Sequence, residues 1–360
     1  MATTAYGFQA ASAFTKGATW GTPVVCGTRD KIEILEETVT SEVELLQDPS
    51  FNGSPVPSPG DAGNEVVEGF EDVNLKFEDK SLMPLAMVFG DDAAPVASGA
   101  LFLHVLRLAA FVDGLFGTLV VSRNFEVWEY DSIKPSGFEI TCNPQDQFAR
   151  CSFEGIGRSM ARNIGAGTNT VATFATVTNA YTTKRLLKFG QAKLYMNAQG
   201  AAALDRTAPT TDEICVSDLT FSVKRPMEGD RTTCNAGLVQ EPAMTDFAEV
   251  LISATIPSYN SDHGALYDLG RSKAVQKVCL EWILEAGADD YRVSFFLPAV
   301  QLSTEGPVAD NAGKLPFTLN MQGFLANAAP AGMSFPDACY AEIVNGYGVG
   351  TGLLDEATYA

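Results

Sequence analysis

Strict alternation of apolar and polar residues is the dominant pattern along this chain. It runs through four segments: VNLKF (73–77), LTFSVK (219–224), VCLEWIL (278–284) and KLPFTLNMQG (314–323). In the first of these, Val73, Leu75 and Phe77 fall on one side of an extended backbone. Because a period of two residues directs every second side chain into a core, each segment is predicted to be a half-buried strand of an antiparallel sheet.

Two short segments carry the pattern of helices. DKSLMPLAMVFG (79–90) and SDHGALYDLG (261–270) both begin with Asp and Ser residues suited to a helix N-terminus. Both end in a glycine, Gly90 and Gly270, which favours the left-handed conformation that closes many helices. We therefore predict two short helices that end at these glycines, within a mainly β fold.

A further alternating segment, RVSFFLPAVQLSTEGPV (292–308), changes phase at a proline. Its apolar residues share one side up to Leu297 and the opposite side from Val300 onward. Proline has no N–H to donate to a strand ladder, so it belongs at a bulge or at a sheet edge. The segment is predicted to be one bent strand with a bulge at Pro298.

The order of these features occurs twice, which predicts an internal duplication. In each half a strand, a loop, a second strand and a short helix follow one another, with the first strands near 31–37 and 216–224. Two unrelated runs of strands and turns are the alternative. The predicted organisation is an N-terminal arm (1–30), a first β domain (31–200), a second β domain (201–325) and a C-terminal arm (326–360).

A long segment without a predicted element lies between the first two strands. Residues 46–69 hold four prolines and four glycines, together with several apolar side chains. Loops of this length within a compact domain are usually functional or disordered. It is either a segment that becomes ordered against a neighbouring subunit or a mobile surface loop.

The charge of the chain argues against nucleic-acid binding through phosphates. The 360 residues carry 44 acidic and 24 basic side chains, a formal net charge of −20. Binding to phosphates depends on Lys and Arg that release counterions. Simple solubility explains the same charge. The apolar share of 46% predicts an ordered protein.

Neither a metal site nor a cofactor is predicted. The seven cysteines form no C-x-x-C pair, and neither of the two histidines lies near a cysteine in the sequence. The cysteines are predicted to be small buried apolar residues in a reducing compartment. The longest apolar stretch (100–121) is interrupted by His104, Arg107 and Asp113, so no membrane span is predicted.

A catalytic constellation is also missing, so the chain is predicted not to be an enzyme. His104 lies in the apolar run LFLHVLRL and is interpreted as a hydrogen-bonded core or interface histidine, and His263 as a solvated residue at a helix start. FEGIGRS (153–159) lacks the rest of a phosphate-binding loop. An acidic hydrolase remains an alternative, although the sequence selects no carboxylate pair for it.

One basic cluster interrupts the acidic sequence. The segment YTTKRLLKFGQAKLYMN (181–197) contains Lys184, Arg185, Lys188 and Lys193 among aromatic residues. It is interpreted as a contact to an acidic surface on another copy of the chain. Contact with DNA is the less favoured alternative.

Three segments, taken in order, resemble the major tail tube proteins of long-tailed bacteriophages. They are TWGTPV (19–24), EVVEGFEDVNLKFEDKSLMPLAMVFG (65–90) and VSFFLPAVQLSTEGPVADNAGKLPFTLNMQGF (293–324). The resemblance lies in the order of strands, helix and turns, and no catalytic motif contributes to it. It implies an antiparallel β-sandwich or barrel with short flanking helices.

The resemblance also implies a function and partners. Subunits of this family form rings that stack into a tube through which DNA passes. A duplicated chain implies trimeric rings with pseudo-sixfold symmetry, and a single-domain chain implies hexamers. Tape-measure, tail-tip and tail-terminator proteins would be further partners. The chain would be located in the virion and, during assembly, in the host cytoplasm. The alternative is a β-sandwich binding or adhesion module for a carbohydrate or receptor, which would need an exposed aromatic platform. 

Three sets of residues acquire expected roles from the resemblance. Residues of the 46–69 segment would contact a neighbouring ring: Asp48, Phe51, Val56, Pro57, Pro59 and Val66. The end of the bent strand would form a subunit edge: Pro298, Val300 and Leu302. Acids on or beside the first strands would line an acidic lumen that does not bind DNA: Glu33, Glu36, Glu71 and Glu78.

Overall fold

The computed structural model describes residues 7–48, 50, 56, 59–206, 212–235, 237–285, 289–303, 306–307 and 313–359. In this part of the chain, 21 strands form one sheet and two form a separate hairpin, with every pair of named strands antiparallel. The prediction of a mainly antiparallel β fold is confirmed. None of the described helices has the length and apolar character needed to cross a membrane.

The elements before residue 164 are thirteen strands and one α-helix. They are β1 (Ala11–Lys16), β2 (Lys31–Ile32), β3 (Ile34–Glu37), β4 (Thr40–Leu46), β5 (Asp61–Glu68), β6 (Glu71–Asn74), α1 (Leu82–Phe89), β7 (Gly90–Asp92), β8 (Val96–Ser98), β9 (Leu101–Leu108), β10 (Gly117–Ser122), β11 (Val127–Cys142), β12 (Arg150–Gly157) and β13 (Met160–Asn163).

The remaining elements are two α-helices and ten strands. They are α2 (Val171–Phe174), β14 (Ala192–Ala198), β15 (Glu213–Ile214), β16 (Asp218–Lys224), β17 (Met227–Glu228), β18 (Ala243–Met244), β19 (Glu249–Ile256), α3 (Gly264–Ser272), β20 (Gln276–Glu285), β21 (Asp290–Leu302), β22 (Phe317–Phe324) and β23 (Tyr340–Asn345). Short 3₁₀ turns connect some of them.

The same strand order occurs twice. In the first unit, neighbouring strands follow the order β3-β6-β12-β11-β10-β1, with α1 between β6 and β10 along the chain. In the second unit the order is β16-β19-β22-β21-β20-β14, with α3 between β19 and β20. Each strand has the same rank along the chain in both units. By this strand order, the first unit ends with β12 near residue 157, and β14 is the first strand of the second unit.

The two units are joined side by side in one sheet. The second half of β11, from Gly137 to Cys142, pairs with β16 from Lys224 to Leu219. Their side chains also share one hydrophobic cluster. Within it, the Phe138 ring of the first unit lies 5.7 Å from the Phe221 ring of the second, and Phe221 lies 4.7 Å from Phe295. The units therefore have a common core.

Helix α1 lies inside this core. All eight of its residues are buried, as expected for a helix that is apolar on every side. It ends at Gly90, which adopts φ = 89°, so the predicted C-terminus is confirmed. The prediction for the second helix was wrong by three residues, because α3 continues through Gly270 and ends at Lys273 in the left-handed conformation.

The alternation predicted the faces of several strands correctly. In β16 and β22 the apolar residues are buried and the intervening ones half-buried or exposed, apart from Ser222 and the ends of the strands. For VCLEWIL the prediction of a half-buried strand was wrong, because Cys279 and Glu281 are as buried as Trp282 on the opposite face. Segments later in the chain cover this second face of β20, since Cys279 packs in a cluster with Phe335 and Tyr340.

The bulge predicted at Pro298 is confirmed. In the pairing of β21 with β20, Leu297 lies opposite Val278 and Val300 opposite Gln276, so β21 carries one extra residue at this point. On its other side, β21 pairs first with β23 and, after the bulge, with β22. The bend therefore transfers the strand from one partner to another within the same chain.

Neither predicted arm is separate from the fold. Strand β1 pairs with β10, and β23 pairs with both β21 and β9, because their apolar residues complete the core. Beyond β23, Leu353 and Tyr359 are also buried. Glu356 forms an ion pair with the buried Lys80, and burial raises the pKa of Asp92, which accepts a hydrogen bond from Leu354 N, to about 7.

The segment 46–69 has more structure than predicted. Strands β4 and β5 form an antiparallel hairpin, so residues 61–68 are a strand and not part of a loop. The sequence did not show this strand, because DAGNEVVE alternates weakly and contains Asp and Gly, which are uncommon in strands. The hairpin is attached at its base, where Val67 is buried and β5 pairs with the end of β12.

Candidate functional site

Eight strands lie next to one another across the two units. Their order is β3-β6-β12-β11-β16-β19-β22-β21, and the core covers one of their faces. The opposite face, here called the open face, carries the alternate side chains of these strands. It is the first candidate for a functional surface.

Away from the ends of its strands, the open face of the second unit is mostly polar and uncharged. Strands β16, β19 and β22 contribute the following side chains: Thr220, Ser222, Leu251, Ser253, Thr255, Thr318, Asn320 and Gln322. Hydroxyl and amide groups on neighbouring strands bond to each other, as Ser253 Oγ does to Asn320 Oδ1 at 3.0 Å. Such a surface offers few charged groups to a ligand, although a cavity of about 330 Å³ lies on it.

Charges on the open face lie on the first unit and at the ends of β16 and β19 in the second unit, and the acids outnumber the bases. The acids are Glu36, Asp72, Glu139, Glu154, Asp218 and Glu249, and the bases are Arg150 and Lys224. Both bases are paired with acids of the same face. Arg150 Nε lies 3.1 Å from Asp72 Oδ2, and Lys224 Nζ lies 2.6 Å from Glu154 Oε1. The net charge of the face is therefore negative.

Of the four acids predicted for a lumen, only Glu36 lies on this face. Glu71 is fully buried, accepts a hydrogen bond from Ser12 Oγ at 2.8 Å and has its pKa raised by burial. Glu78 is also buried, where it accepts from Arg185 Nη1 at 2.6 Å. The prediction was wrong for these two because it selected acids by sequence position and not by strand parity.

Glu33 is half-buried and engaged within the chain. It lies 2.7 Å from Lys184 Nζ and 3.4 Å from Lys76 Nζ. Although burial alone would raise its pKa, hydrogen bonds from Lys184 and Tyr181 and the charge of Lys76 lower the pKa of Glu33 to about 2. The carboxylate is therefore ionised and neutralised by its own subunit.

The predicted basic patch is partly used inside the subunit. Lys184 pairs with Glu33, and Arg185 pairs with Glu78 while its guanidinium lies 4.3 Å from the centre of the Tyr291 ring. This follows from the path of the segment, which forms isolated bridges to Lys76 and Phe148 and so passes the acids of the first unit. Lys188 is exposed and Lys193 is half-buried.

The eight-stranded run ends differently on its two sides. At one end β3 pairs with β6 and, in the described part of the chain, with no strand on its outer side, where Leu35 is 50% exposed. At the other end, β20 stops pairing with β21 at Val300, so Gln301 and Leu302 have a strand partner only in β22. Lys273 Nζ donates to Leu302 O at 2.8 Å and occupies part of this edge.

This geometry corrects the predicted subunit edge. Pro298, Val300 and Leu302 are all buried, and at Val300 both sides of the strand are paired within the chain. The bulge transfers β21 to β22 and not to another copy. The stretch without a partner on the β20 side begins only at Gln301, so of the three predicted residues Leu302 alone lies in it.

The β4–β5 hairpin is a second candidate surface. Val43, Leu45 and Leu46 are all more than half exposed, which is unusual for three apolar residues so close together. Of the six contact residues predicted here, Asp48, Val56 and Pro59 are exposed and Val66 is half-buried. Phe51 and Pro57 lie outside the described residues. The sequence placed the contact in the loop and missed the leucines of β4.

The remaining candidates for chemistry among the described residues are metal-ligating side chains and His104. They contain no group of three or more His, Cys, Asp and Glu side chains that could hold a metal ion. His104 is buried, with Nε2 lying 3.1 Å from Asn345 Oδ1 and 2.8 Å from Tyr347 O. Since both partners are acceptors, Nε2 carries the proton, and burial lowers the pKa of the ring. The interpretation of His104 as a hydrogen-bonded core residue is confirmed.

Smaller predictions about single side chains had mixed outcomes. Five cysteines are buried as predicted, whereas Cys215 and Cys234 are exposed free thiols. The tryptophans do not form a platform for a carbohydrate. Trp282 is fully buried, Trp20 donates to Val239 O at 2.9 Å, and the Trp128 ring lies under the Arg123 guanidinium.

Comparisons with known proteins give little further information. No protein-family model matches this chain, and no curated protein matches it. Among solved structures, a crystal structure of Hcp protein matches with 15% identity and a TM-score of 0.24, over 36% of this chain and 84% of that chain. A doubly substituted Hcp1 protein from the E. coli EAEC 042 pathovar matches with 12% identity and a TM-score of 0.22, over the same shares. At these TM-scores the superposition does not define a common fold.

Proposed function

We propose that this chain is a structural protein that assembles with copies of itself into rings, and that the rings stack into the tube of a bacteriophage tail. One observation carries the proposal. The β11–β16 junction already joins two units of the same strand order side by side in one sheet. A second junction of this kind, between copies, needs one free strand edge on each side of the run.

The two ends of the eight-stranded run supply those edges. Strand β3 is the counterpart of β16, and the end of β21 is the counterpart of the second half of β11, because each pair has the same rank in its unit. Pairing β3 of one copy with β21 of the next would repeat the internal junction. Such a head-to-tail contact is heterologous and closes into a ring when the rotation per copy allows it. Three copies would place six units around the ring.

In this ring the open face would line the channel. Its acids offer the phosphates of DNA no contact that releases counterions, and its hydroxyl and amide groups are neutral. Double-stranded DNA would therefore pass without being retained. Tape-measure, tail-tip and tail-terminator proteins, assembly in the host cytoplasm and residence in the virion belong to the same proposal.

The proposal predicts ring assembly of the purified chain. Size-exclusion chromatography followed by negative-stain microscopy should show rings, or stacks of rings, with a central channel and six-fold appearance. Each ring should contain three chains of 38.3 kDa by mass measurement. A featureless monomer at high protein concentration would contradict the proposed function, and six chains in a ring would contradict the trimer.

The acidic face makes a separate prediction. The double substitution Glu139→Lys and Glu249→Lys should give the chain measurable affinity for double-stranded DNA, which the native chain should lack at the same salt. The affinity should fall as salt rises, with a slope of about −0.9 for each phosphate neutralised. Fluorescence anisotropy with a labelled duplex measures both. Lys substitutions at the exposed Asp61 and Glu68 of the hairpin are the matched control, and equal DNA binding by both variants would contradict a role for the open face.

A further inference from the structure

In both units a hairpin lies between the first two strands of the open face. In the first unit it is β4–β5, between β3 and β6, and in the second it is β17–β18, between β16 and β19. The two hairpins therefore occupy equivalent positions. Only their surroundings differ, since β4–β5 is exposed and the segment that contains β17–β18 packs against the first unit.

The packing of the second hairpin segment is well defined. Glu241 Oε1 accepts hydrogen bonds from Gly114 N and Lys134 Nζ, both at 2.7 Å. Arg231 Nη2 donates to Glu65 O at 2.6 Å. Pro242 O accepts a further bond from Lys134 Nζ at 2.9 Å. The segment is thus held across the β11–β16 junction.

Besides Glu65 of β5, which accepts from Arg231, these contacts fall on three places of the first unit. The first is the stretch before β10, represented by Gly114. The second is the long strand β11 beside its proline, where Lys134 precedes Pro135. The third is the end of β12, where Ile156 and Gly157 line one groove together with residues of the hairpin segment.

In the second unit the corresponding places are exposed, apart from the buried Ala299. They are Val275 before β20, Ala299 beside Pro298 in the long strand β21, and Phe324 and Leu325 at the end of β22. All of them line one groove of about 190 Å³, and the other lining residues are Gln199, Gln301, Ala326 and Asn327. None of these residues is charged. Leu325 is 74% exposed, and Val275 and Phe324 are partly exposed.

The exposed hairpin has side chains that suit this groove. Leu45 is 65% exposed, and Val43, on the same side of β4, is 53% exposed. A monomer would leave both the hairpin and the groove in water. Within the chain, the equivalent hairpin segment of the second unit packs against the equivalent places of the first unit. Burying both together removes apolar area from water without desolvating a charge of the groove.

We infer that the β4–β5 hairpin of one copy docks in the groove formed by Val275, Ala299, Phe324 and Leu325 of the next copy in the same ring. The inference rests on the proposed head-to-tail assembly, because it repeats across the contact between copies what the β17–β18 segment does across the internal junction. It assigns the apolar side of the hairpin to its own ring, whereas the sequence assigned the 46–69 segment to a neighbouring ring.

Disulfide trapping tests this contact. Leu45→Cys and Leu325→Cys are combined in a chain whose exposed thiols are removed by Cys215→Ser and Cys234→Ser, and the assembled rings are treated with a mild oxidant. Each contact between copies then forms one disulfide. Non-reducing gels should show a ladder that ends at the number of chains in one ring, because the contacts close on themselves. Leu45→Cys with Val96→Cys, which is exposed elsewhere, should give no ladder.

The other outcomes separate the docking from the assembly. Rings that form without a Leu45–Leu325 crosslink would overturn the docking and leave the tube function intact. A ladder that continues beyond the ring size would also overturn it, because the hairpin would then join successive rings. Failure of the native chain to form rings would overturn the proposed function itself. As a second variant, Leu325→Asp should raise the concentration needed for ring formation at least tenfold while thermal unfolding of the monomer stays unchanged, and normal assembly would count against the groove.

Discussion

Replacing Arg225 with alanine is expected to lower the free energy of unfolding by about 4 kcal/mol, because it removes a buried cation that donates hydrogen bonds to three carbonyl groups. Arg225 is the first residue after β16 and is almost completely buried. Its Nη2 donates to Phe89 O and Ala109 O, both at 2.9 Å, and its Nε donates to Val88 O. Two of these carbonyls belong to the C-terminal end of α1, where a positive charge is favourable.

The charge on Arg225 is retained in spite of its burial. Desolvation lowers the pKa of its guanidinium to about 10, which still leaves it protonated at neutral pH. The residue thus joins the second unit to the central helix of the first through charge-assisted hydrogen bonds. Since a deletion of the side chain removes all of them at once, the effect should exceed that of any single surface ion pair.

Urea denaturation of the monomer measures this prediction, and three variants interpret it. Arg225→Lys should recover part of the loss because it keeps the charge but not the planar group that reaches three carbonyls. Arg225→Met should remain close to alanine if the hydrogen bonds, and not the volume, are responsible. Lys224→Ala, at the neighbouring exposed position, should change stability by less than about 0.5 kcal/mol. A loss below about 1 kcal/mol for Arg225→Ala would contradict this account.

The second large effect concerns assembly. Leu35→Asp is expected to abolish ring formation while leaving the monomer folded. Leu35 is half exposed on β3, whose outer side is unpaired in the described residues. When a strand of another copy pairs with β3, a carboxylate at this position would be buried without a partner. Charged side chains on edge strands prevent pairing for this reason. Because the side chain is half exposed in the monomer, the cost to folding should not exceed about 1 kcal/mol.

Analytical ultracentrifugation and thermal unfolding together check the effect of Leu35→Asp. Sedimentation should show only monomer at a protein concentration at which the native chain forms rings. Val96→Asp, which adds the same charge at an exposed apolar residue of β8, should assemble normally. Rings of normal size from Leu35→Asp would mean that β3 is not part of the contact between copies.

Part of the candidate surface could be predicted from the alternation of apolar and polar residues along the strands. LTFSVK and KLPFTLNMQG showed which side chains enter the core, and the same alternation implied that Thr220, Asn320 and Gln322 lie on the opposite face. Reading the polar side of these strands would have located the open face from the sequence. The search for acids did not, because Glu71 and Glu78 differ from Glu36 only in burial and partners.

Other features had no local signal. Glu281 alternates with Leu280 and Trp282 like a solvent-facing residue, yet it is buried under a layer that includes Arg206, whose Nη1 lies 3.0 Å from Glu281 Oε2. That layer comes from segments distant in the sequence. The strand β23 was likewise missed, because it lies within a glycine-rich end of the chain and is defined by its pairing with β9 and β21.

The sequence by itself determined the local properties of this protein: which residues alternate, where α1 ends, and where Pro298 must interrupt a ladder. Those properties depend on backbone geometry and on the missing N–H of proline, which act within a few residues. Only the tertiary structure decided that the two units share one core, that Glu33 and Glu78 neutralise Lys184 and Arg185, and which strand edges stay unpaired. Each of these depends on contacts between residues far apart in the chain, and so on which surfaces the fold covers.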